Sequence, residues 1–365
     1  MTRILEFTEE DARLMDEGAV LEGGGDVERL AAARAKIAEA AAAIKRGGLV
    51  AFPTETVYGL GADAFDAEAV KRVYAVKGRP GDNPMIVHVA RAGDVCLLTD
   101  GLTPMAVRLI DAFWPGPLTL VLSKREGVPS EVTGGLATVA VRMPDDPLAL
   151  ALIRAAGTPV AAPSANLSGK PSPTKASHVI KDLDGLADVI MCGRDCRVGI
   201  ESTVLDLSEG NPVILRPGVV GAADVEAVIG KEVAHDPSLL AARLGSGGGA
   251  VDGAAGAAPK SPGMKYRHYA PQAEMLVLEG DRERVRRETE RLTALNEGLG
   301  RKVGAIFFEE RAFVEAAHDL FARLREMDEA GVDLIIAGAL SDGDSLGFAV
   351  MNRMLKAAGY NVARV

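Results

Sequence analysis

Eight residues of this sequence combine an anion- or hydroxyl-binding side chain with a position at or near the end of an expected strand or helix: Thr56, Lys77, Arg79, Arg142, Ser164, Asn166, Ser202 and Arg216. Arginines interleaved with hydroxyls fit a ligand that bears phosphate and carboxylate, because a guanidinium offers paired donors matching either group. In open α/β sheets, ligands gather outside the carboxyl ends of the strands. Residues at element ends could therefore converge on one site. Lys77-Gly78-Arg79 forms a positive island with Lys71 and Arg72 in a chain of net charge −10. Lys71 and Arg72 read as a solvated helix face. Lys77 and Arg79, at and beyond the helix end and beside a strand, read as a candidate anion site. His88 belongs to an apolar strand whose alternation puts Ile86 and His88 on one face and Met85, Val87 and Val89 on the other. By default it is a satisfied core histidine. It becomes a substrate donor or acceptor only if its face lines a pocket.

The elements that must carry these residues follow from local signals. The apolar run 49–52 reads as a short buried strand stopped by Pro53. Asp66 caps a helix that runs to Gly78, and 85–89 is a strand, so 47–90 makes one α/β unit with its polar groups at element ends. Upstream, residues 1–30 are acid-rich, contain Gly23-Gly24-Gly25 and read as a loosely attached extension; an alanine-rich helix spans 27–46. Downstream, Thr103-Pro104 opens a helix to Trp114, and strands are expected at 118–123 and 138–143. Asp146-Pro147 opens a helix ending at Gly157. A strand at 160–162 runs into a loop over 163–174 dense in hydroxyls and turn residues, and strands follow at 189–191, 202–207 and 212–215. Residues 241–259 are largely Gly and Ala and read as a linker, whereas 261–271 is too aromatic and basic for a pure spacer. From 273 onward, strands at 275–278, 303–308 and 332–337 alternate with helices at 281–297, 311–330 and 344–358, the pattern of a small parallel sheet.

Composition narrows the function classes. The chain has 365 residues, 48% hydrophobic and 25% charged, enough for two domains with real cores. No stretch approaches the roughly 18 apolar residues of a membrane span, and the first residues carry Glu6, Glu9, Glu10 and Asp11 rather than an apolar block. A cytoplasmic location is expected. Cys96, Cys192 and Cys196 make no disulfide framework, and Cys192-x-x-x-Cys196 lacks a second ligand pair for zinc. Net acidity argues against a broad basic face, so no stable nucleic-acid complex is expected. There is no GxxxxGK[ST] phosphate loop. Gly59-Leu60-Gly61-Ala62-Asp63-Ala64 imitates a dinucleotide fingerprint, but its first glycine stands seven residues past the apolar run and no acidic residue ends the next strand. It is read as a tight turn. Five histidines offer no triad arrangement. Residue chemistry thus reaches an anion-binding α/β enzyme, with three rivals: an RNA-binding or ribosome-associated protein without turnover, a carbamoyltransferase, and a nicotinamide dehydrogenase.

Several runs carry a family resemblance: PTETVYGLGADA, KGRPGDNPMIVHV, Lys77-x-Arg79 with Ser164-x-Asn166, GIESTVLD, ILRPG and SPGMKYRHYAP. Over roughly 30–365 the chain resembles the threonylcarbamoyl-AMP synthases in their long, two-domain form. Relatives of the catalytic domain also occur in hydrogenase-maturation carbamoyltransferases, but SPGMKYRHYAP and the C-terminal region point to the long synthases. The resemblance implies an α/β fold with a YrdC-like open twisted sheet and flanking helices, a long linker and a small Rossmann-like domain. The expected boundaries are 1–30 for the extension, 31–218 for the catalytic domain, 219–271 for the linker and 272–365 for the second domain. It implies a nucleotidyltransferase that joins L-threonine, bicarbonate and ATP into threonylcarbamoyl-AMP and pyrophosphate, with Mg²⁺ on the triphosphate. Partner proteins would then transfer the threonylcarbamoyl group to tRNA beside the anticodon. Carried over residue by residue, the resemblance assigns threonine to Thr56, His88, Arg142, Ala162 and Ser202. ATP falls to Lys77, Arg79, Asn83, Thr138, Ser164, Asn166, Ser172 and Arg216. Lys77 and Arg79 are expected to clamp charge catalytically, with no protein-held metal, and Tyr266 and His268 to fold over the pocket as a lid.

Overall fold

The computed structural model describes residues 1–16, 18–21, 23–239, 259–261, 268–340 and 345–365. The first eleven strands are β1 (Arg3–Glu6), β2 (Val50–Phe52), β3 (Gly59–Asp63), β4 (Ile86–His88), β5 (Leu118–Ser123), β6 (Thr138–Arg142), β7 (Val160–Ala162), β8 (Val189–Cys192), β9 (Thr203–Asp206), β10 (Val213–Arg216) and β11 (Ala234–His235). They form an 11-stranded sheet in the order β1-β8-β2-β3-β7-β4-β6-β5-β9-β10-β11. It is mixed: β4 lies parallel to β6 and β5 to β9, whereas β3 is antiparallel to β2 and β7, β5 to β6, and β10 to β9. A second sheet of β12 (Glu274–Glu279), β13 (Val303–Ile306), β14 (Leu334–Gly338) and β15 (Val362–Arg364) is parallel throughout, in the order β13-β14-β12-β15. Among the described residues no helix is long and apolar enough to cross a membrane.

The expected local signals operate. Asp66 accepts from the Glu68 and Ala69 amides to start the helix Ala67–Lys77, and Gly78 ends it at φ +60, where a Cβ would strain the backbone. That helix buries Ala69, Val70, Val73, Tyr74 and Lys77, so its basic last residue turns inward. Thr103 and Asp146 cap the helices Pro104–Phe113 and Pro147–Ala156. The alternation of the 85–89 segment holds as well. Met85, Val87 and Val89 join the large core with Val70, Val73, Leu109 and Leu120, while Ile86 packs on the other face with Val121, Ala140, Val204 and Leu215.

Three expectations are corrected. Residues 1–30 are not loosely attached: β1 pairs in parallel with β8, Thr8 and Asp11 close a capping box on the helix Glu9–Met15, and Leu5, Phe7, Ala12 and Leu14 are buried. The helix after it starts at Gly24 and runs to Lys45, taking in two of the glycines that suggested flexibility. The Gly59–Ala64 stretch is a strand rather than a turn. A Cβ on Gly61 would stand 2.6 Å from Val160 Cγ1 and 2.8 Å from the Phe52 ring, so its glycines clear space for neighbouring side chains inside the sheet. The span expected as linker from 219 begins with the helix Ala222–Ile229, anchored by Val225 and Ile229, and with β11 on β10. The first sheet therefore runs past residue 218. Most of the Gly/Ala tract falls outside the described residues.

Filling the space beside β3 should be costly. Gly61→Val is expected to destabilise the protein by about 1–3 kcal/mol through overpacking against Phe52 and Val160. Gly93→Ala, whose Cβ would meet nothing within 4 Å, should change stability by less than about 0.5 kcal/mol. Urea unfolding of the two variants measures the contrast.

Candidate active site

The mixed topology sets strand starts beside strand ends at both edges of the sheet. Because β2 and β3 are antiparallel with Phe52 opposite Gly59, the end of β2 meets the start of β3. In the same way Arg216, closing β10, lies opposite Val204 near the start of β9. His88 and Arg142 are register partners in the parallel pair β4/β6. A cleft spans these positions, lined by Thr54, Thr56, Val57, Tyr58, Gly59, Arg79, Ile86, His88, Arg142, Ala162, Pro163, Ser164, Glu201, Ser202, Arg216, His268 and Tyr269. All five residues expected to meet threonine, Thr56, His88, Arg142, Ala162 and Ser202, are in this lining, together with Arg79, Ser164, Arg216 and His268.

Arg142 is buried. Its Nη1 donates to Thr56 Oγ1 at 2.9 Å and its Nε to the Gly116 carbonyl at 3.1 Å, which commits two of the five guanidinium donors. Glu55 Oε2 stands 2.5 Å from Nη2, yet neither carboxylate oxygen is aligned for a hydrogen bond. The contact is a close buried ion pair, and three of the five donors make no hydrogen bond among the described residues. Thr54 Oγ1 lies 2.9 Å from Thr56 Oγ1 and donates to the Val57 carbonyl, bracing the turn after β2. His88 meets the edge of the Phe52 ring, and its Nδ1 is buried without a hydrogen-bond partner. Burial first and the Arg142 charge second push its pKa down to about 3, so the ring is neutral at pH 7. Arg216 donates from Nε to the Ser202 carbonyl at 3.0 Å and from Nη2 to Ser202 Oγ at 3.2 Å, while Thr119 Oγ1 lies 2.8 Å from the same hydroxyl. Half-buried Arg79 donates to the carbonyls of Asn83 and Pro84 at 3.2 and 2.9 Å. Its pKa, pulled down to about 10 chiefly by burial, still leaves it a cation.

Five of the expected nucleotide residues are elsewhere. Lys77 is buried under the loop at 163–174, and its ammonium donates to the carbonyls of Ser164 and Asn166 and to Asn166 Oδ1. Burial, and after it Arg79, hold its pKa well below the ordinary lysine value. Here it props the loop rather than facing the cleft. Asn166 is equally engaged: Oδ1 accepts from Ser164 Oγ, and Nδ2 donates to the carbonyls of Leu167 and Lys170. Asn83 lends its carbonyl to Arg79 and to the Tyr74 hydroxyl, while its buried Oδ1 has no partner. Ser172 donates to Glu201 Oε1 at 2.6 Å, behind the lining. Thr138 starts the strand that Arg142 ends, opposite Ser123 and about 13 Å away at the usual rise per residue. Tyr266 lies outside the described residues.

Other lining residues were not anticipated. Glu201 adjoins Ser202, but its carboxylate is legible only through partners far away in sequence. Tyr269 is buried at φ +65, against the Phe321 ring of the second domain, and burial raises its hydroxyl pKa to about 12. Its aromatic, basic neighbourhood was the available signal. His268 beside it has a buried Nε2 without a hydrogen-bond partner, and its pKa is driven down to about 3, mainly by burial. Among the described residues no three His, Cys, Asp or Glu side chains cluster as ligands, and both Glu201 oxygens are already engaged, by Ser172 and by Arg353.

His88 makes stability depend on pH. The unfolded chain protonates it near 6.5 and the folded protein near 3, so between those values the unfolded state binds more protons. Unfolding free energy should fall as pH drops through this window, by at most about 1.4 kcal/mol per pH unit from this residue. His88→Asn should therefore lose less stability than the parent between pH 6.5 and 4.5 in denaturant titrations.

Residues 42–218 match the family described as Telomere recombination, the Sua5/YciO/YrdC model, and residues 220–359 match the Threonylcarbamoyl-AMP synthase, C-terminal domain. The chain is 49% identical over 340 residues to the threonylcarbamoyl-AMP synthase of Pyrococcus abyssi, covering 90% of this chain and 96% of that one. It is 46% identical over 346 residues to the Bacillus subtilis enzyme of the same name, covering 90% and 94%. The crystal structure of P. abyssi Sua5 complexed with L-threonine matches with a TM-score of 0.86 at 45% identity, covering 100% of both chains.

Proposed function

This chain belongs to the threonylcarbamoyl-AMP synthases, enzymes of nucleotidyl-type transfer, and from that premise we propose how its cleft divides the work among L-threonine, bicarbonate and ATP. The observation that carries the division is the pairing of His88 with Arg142 across β4 and β6, with Thr56 bonded to the same guanidinium. Arg142 takes the threonine carboxylate through its uncommitted donors. Neutral His88, with its free Nδ1, and the Thr56 and Ser202 hydroxyls are positioned for the substrate's hydroxyl and amine. The relative that matches over its whole length binds L-threonine, in keeping with this assignment.

The threonine amine and bicarbonate combine to a carbamate with loss of water. A carbamate oxygen then attacks the α-phosphorus of ATP, and the bond to the leaving pyrophosphate breaks. No covalent enzyme intermediate is needed. Catalysis rests on positioning and on charge neutralisation, supplied by Arg79 and Arg216 at the phosphates. Lys77 contributes from behind, holding the loop that carries Ser164. Mg²⁺ arrives as part of the nucleotide substrate rather than on protein ligands. His268 and Tyr269 close the cleft over the product, a mixed anhydride that water would destroy. Downstream, the threonylcarbamoyl group passes to tRNA through other proteins.

Pyrophosphate release from ATP should require threonine and bicarbonate together; release that ignores the omission of either would refute the reading. Arg142→Lys should raise the threonine KM by about tenfold or more, since one ammonium cannot replace a two-point guanidinium. Serine should substitute for threonine far better than valine, because a site built around a hydroxyl rejects an analogue lacking it by about 10⁴-fold.

A further inference from the structure

Glu201 is the one carboxylate lining the cleft among the described residues, and its countercharge comes from the second domain. Arg353, on the helix Ser345–Ala357, is 0% exposed. Its Nε lies 3.2 Å from Glu201 Oε2, its Nη2 3.4 Å from the Glu201 carbonyl, and its Nη1 donates to the Pro217 carbonyl. Glu201 and Pro217 are the chain neighbours of Ser202 and Arg216, and Ser202 and Arg216 are hydrogen-bonded to each other in the cleft wall. A single side chain thus grips both strands of that wall from behind.

We propose that Arg353 is a positioning residue for the nucleotide: by holding the Glu201 carboxylate, it keeps the Arg216 guanidinium available for phosphate. Arg353 is the charge that most favours the ionised form of Glu201, and Arg216 ranks next among the cations. Deprived of Arg353, a buried carboxylate keeps its charge at high cost unless it finds another cation. The next one is Arg216, and an Arg216 neutralised by Glu201 no longer offers its charge to an incoming anion. The inference rests on the reading above that Arg216 meets ATP. It also gives the second domain a part in the reaction, since without that domain Glu201 keeps its hydrogen bond from Ser172 but loses its paired cation.

The test is calorimetric binding of ATP and of threonine to the full-length chain, with thermal unfolding recorded beside it. Arg353→Met should weaken ATP binding by about tenfold or more and leave threonine within about twofold. Adding Glu201→Gln to Arg353→Met should restore most of the lost ATP affinity, because the competing charge is gone. A loosened fold would not be repaired by removing one more charge. Unchanged ATP affinity in folded Arg353→Met, equal losses for both ligands, or no rescue by Glu201→Gln would each overturn the inference. Should Arg353→Met fail to fold, Arg353→Lys decides, with an intermediate ATP loss expected and parental affinity contradicting it. Parental protein that binds no ATP would defeat the functional reading itself, whereas parental binding with an indifferent Arg353 variant would defeat the positioning role alone.

Discussion

Buried positive charge without enough carboxylate to neutralise it is the constraint on which this cleft depends. Lys77, Arg142, Arg216 and Arg353 are buried and Arg79 is half-buried, while the buried carboxylates near them are Glu55, Glu201 and Asp182, the last already paired with Arg325. Taking a cation out of water costs several kcal/mol even after relaxation. Backbone carbonyls offset part of that cost: Ser164 and Asn166 for Lys77, Asn83 and Pro84 for Arg79, Gly116 for Arg142, Ser202 for Arg216, Pro217 for Arg353. Most of these carbonyls come from the segments between strands, so the order of the loops and the burial of the charges are one problem. Dipoles do not cancel a net charge, however, and a triphosphate with an amino-acid carboxylate supplies what the protein withholds.

The mixed sheet is what allows so many segments to contribute. Antiparallel pairing sets strand starts beside strand ends at both sheet edges: β9 starts next to Ser202 on the edge where β4, β6 and β10 end at His88, Arg142 and Arg216, and β3 starts at Gly59 on the other edge, where β2 and β7 end. The second domain closes the arrangement. Arg325 donates to the Pro171 carbonyl and pairs with Asp182 at 2.7 Å, steadying the loop that holds Ser172, and Arg353 does the same for the opposite wall. Tyr269, its ring tilted against that of Phe321, links the cleft to that domain's core.

What was legible in the sequence follows from how local each signal is. Caps at Asp66, Thr103 and Asp146, the terminating Gly78 and the alternation through Ile86 and His88 act within a few residues, and the fold keeps them. The residues proposed for threonine were named through the family resemblance, and the structure adds that all five line one cleft. β1 was obscured by acidic neighbours, since its parallel pairing with β8 spans most of the catalytic region. β3 was obscured by glycines whose purpose, clearance for Phe52 and Val160, lies in other strands. Lys77 ends its helix on the buried face, a direction that its basic motif alone does not show. The Glu201–Arg353 pair joins positions 152 residues apart and has no local signature at all.

The most direct test of the account is a structure of the protein with L-threonine and a non-hydrolysable ATP analogue bound together. The threonine carboxylate is expected on Arg142, its hydroxyl or amine within hydrogen-bond reach of His88, Thr56 or Ser202, and the phosphates on Arg79 and Arg216. A triphosphate seated on Arg142, or a threonine bound away from the β4/β6 strand ends, would contradict it.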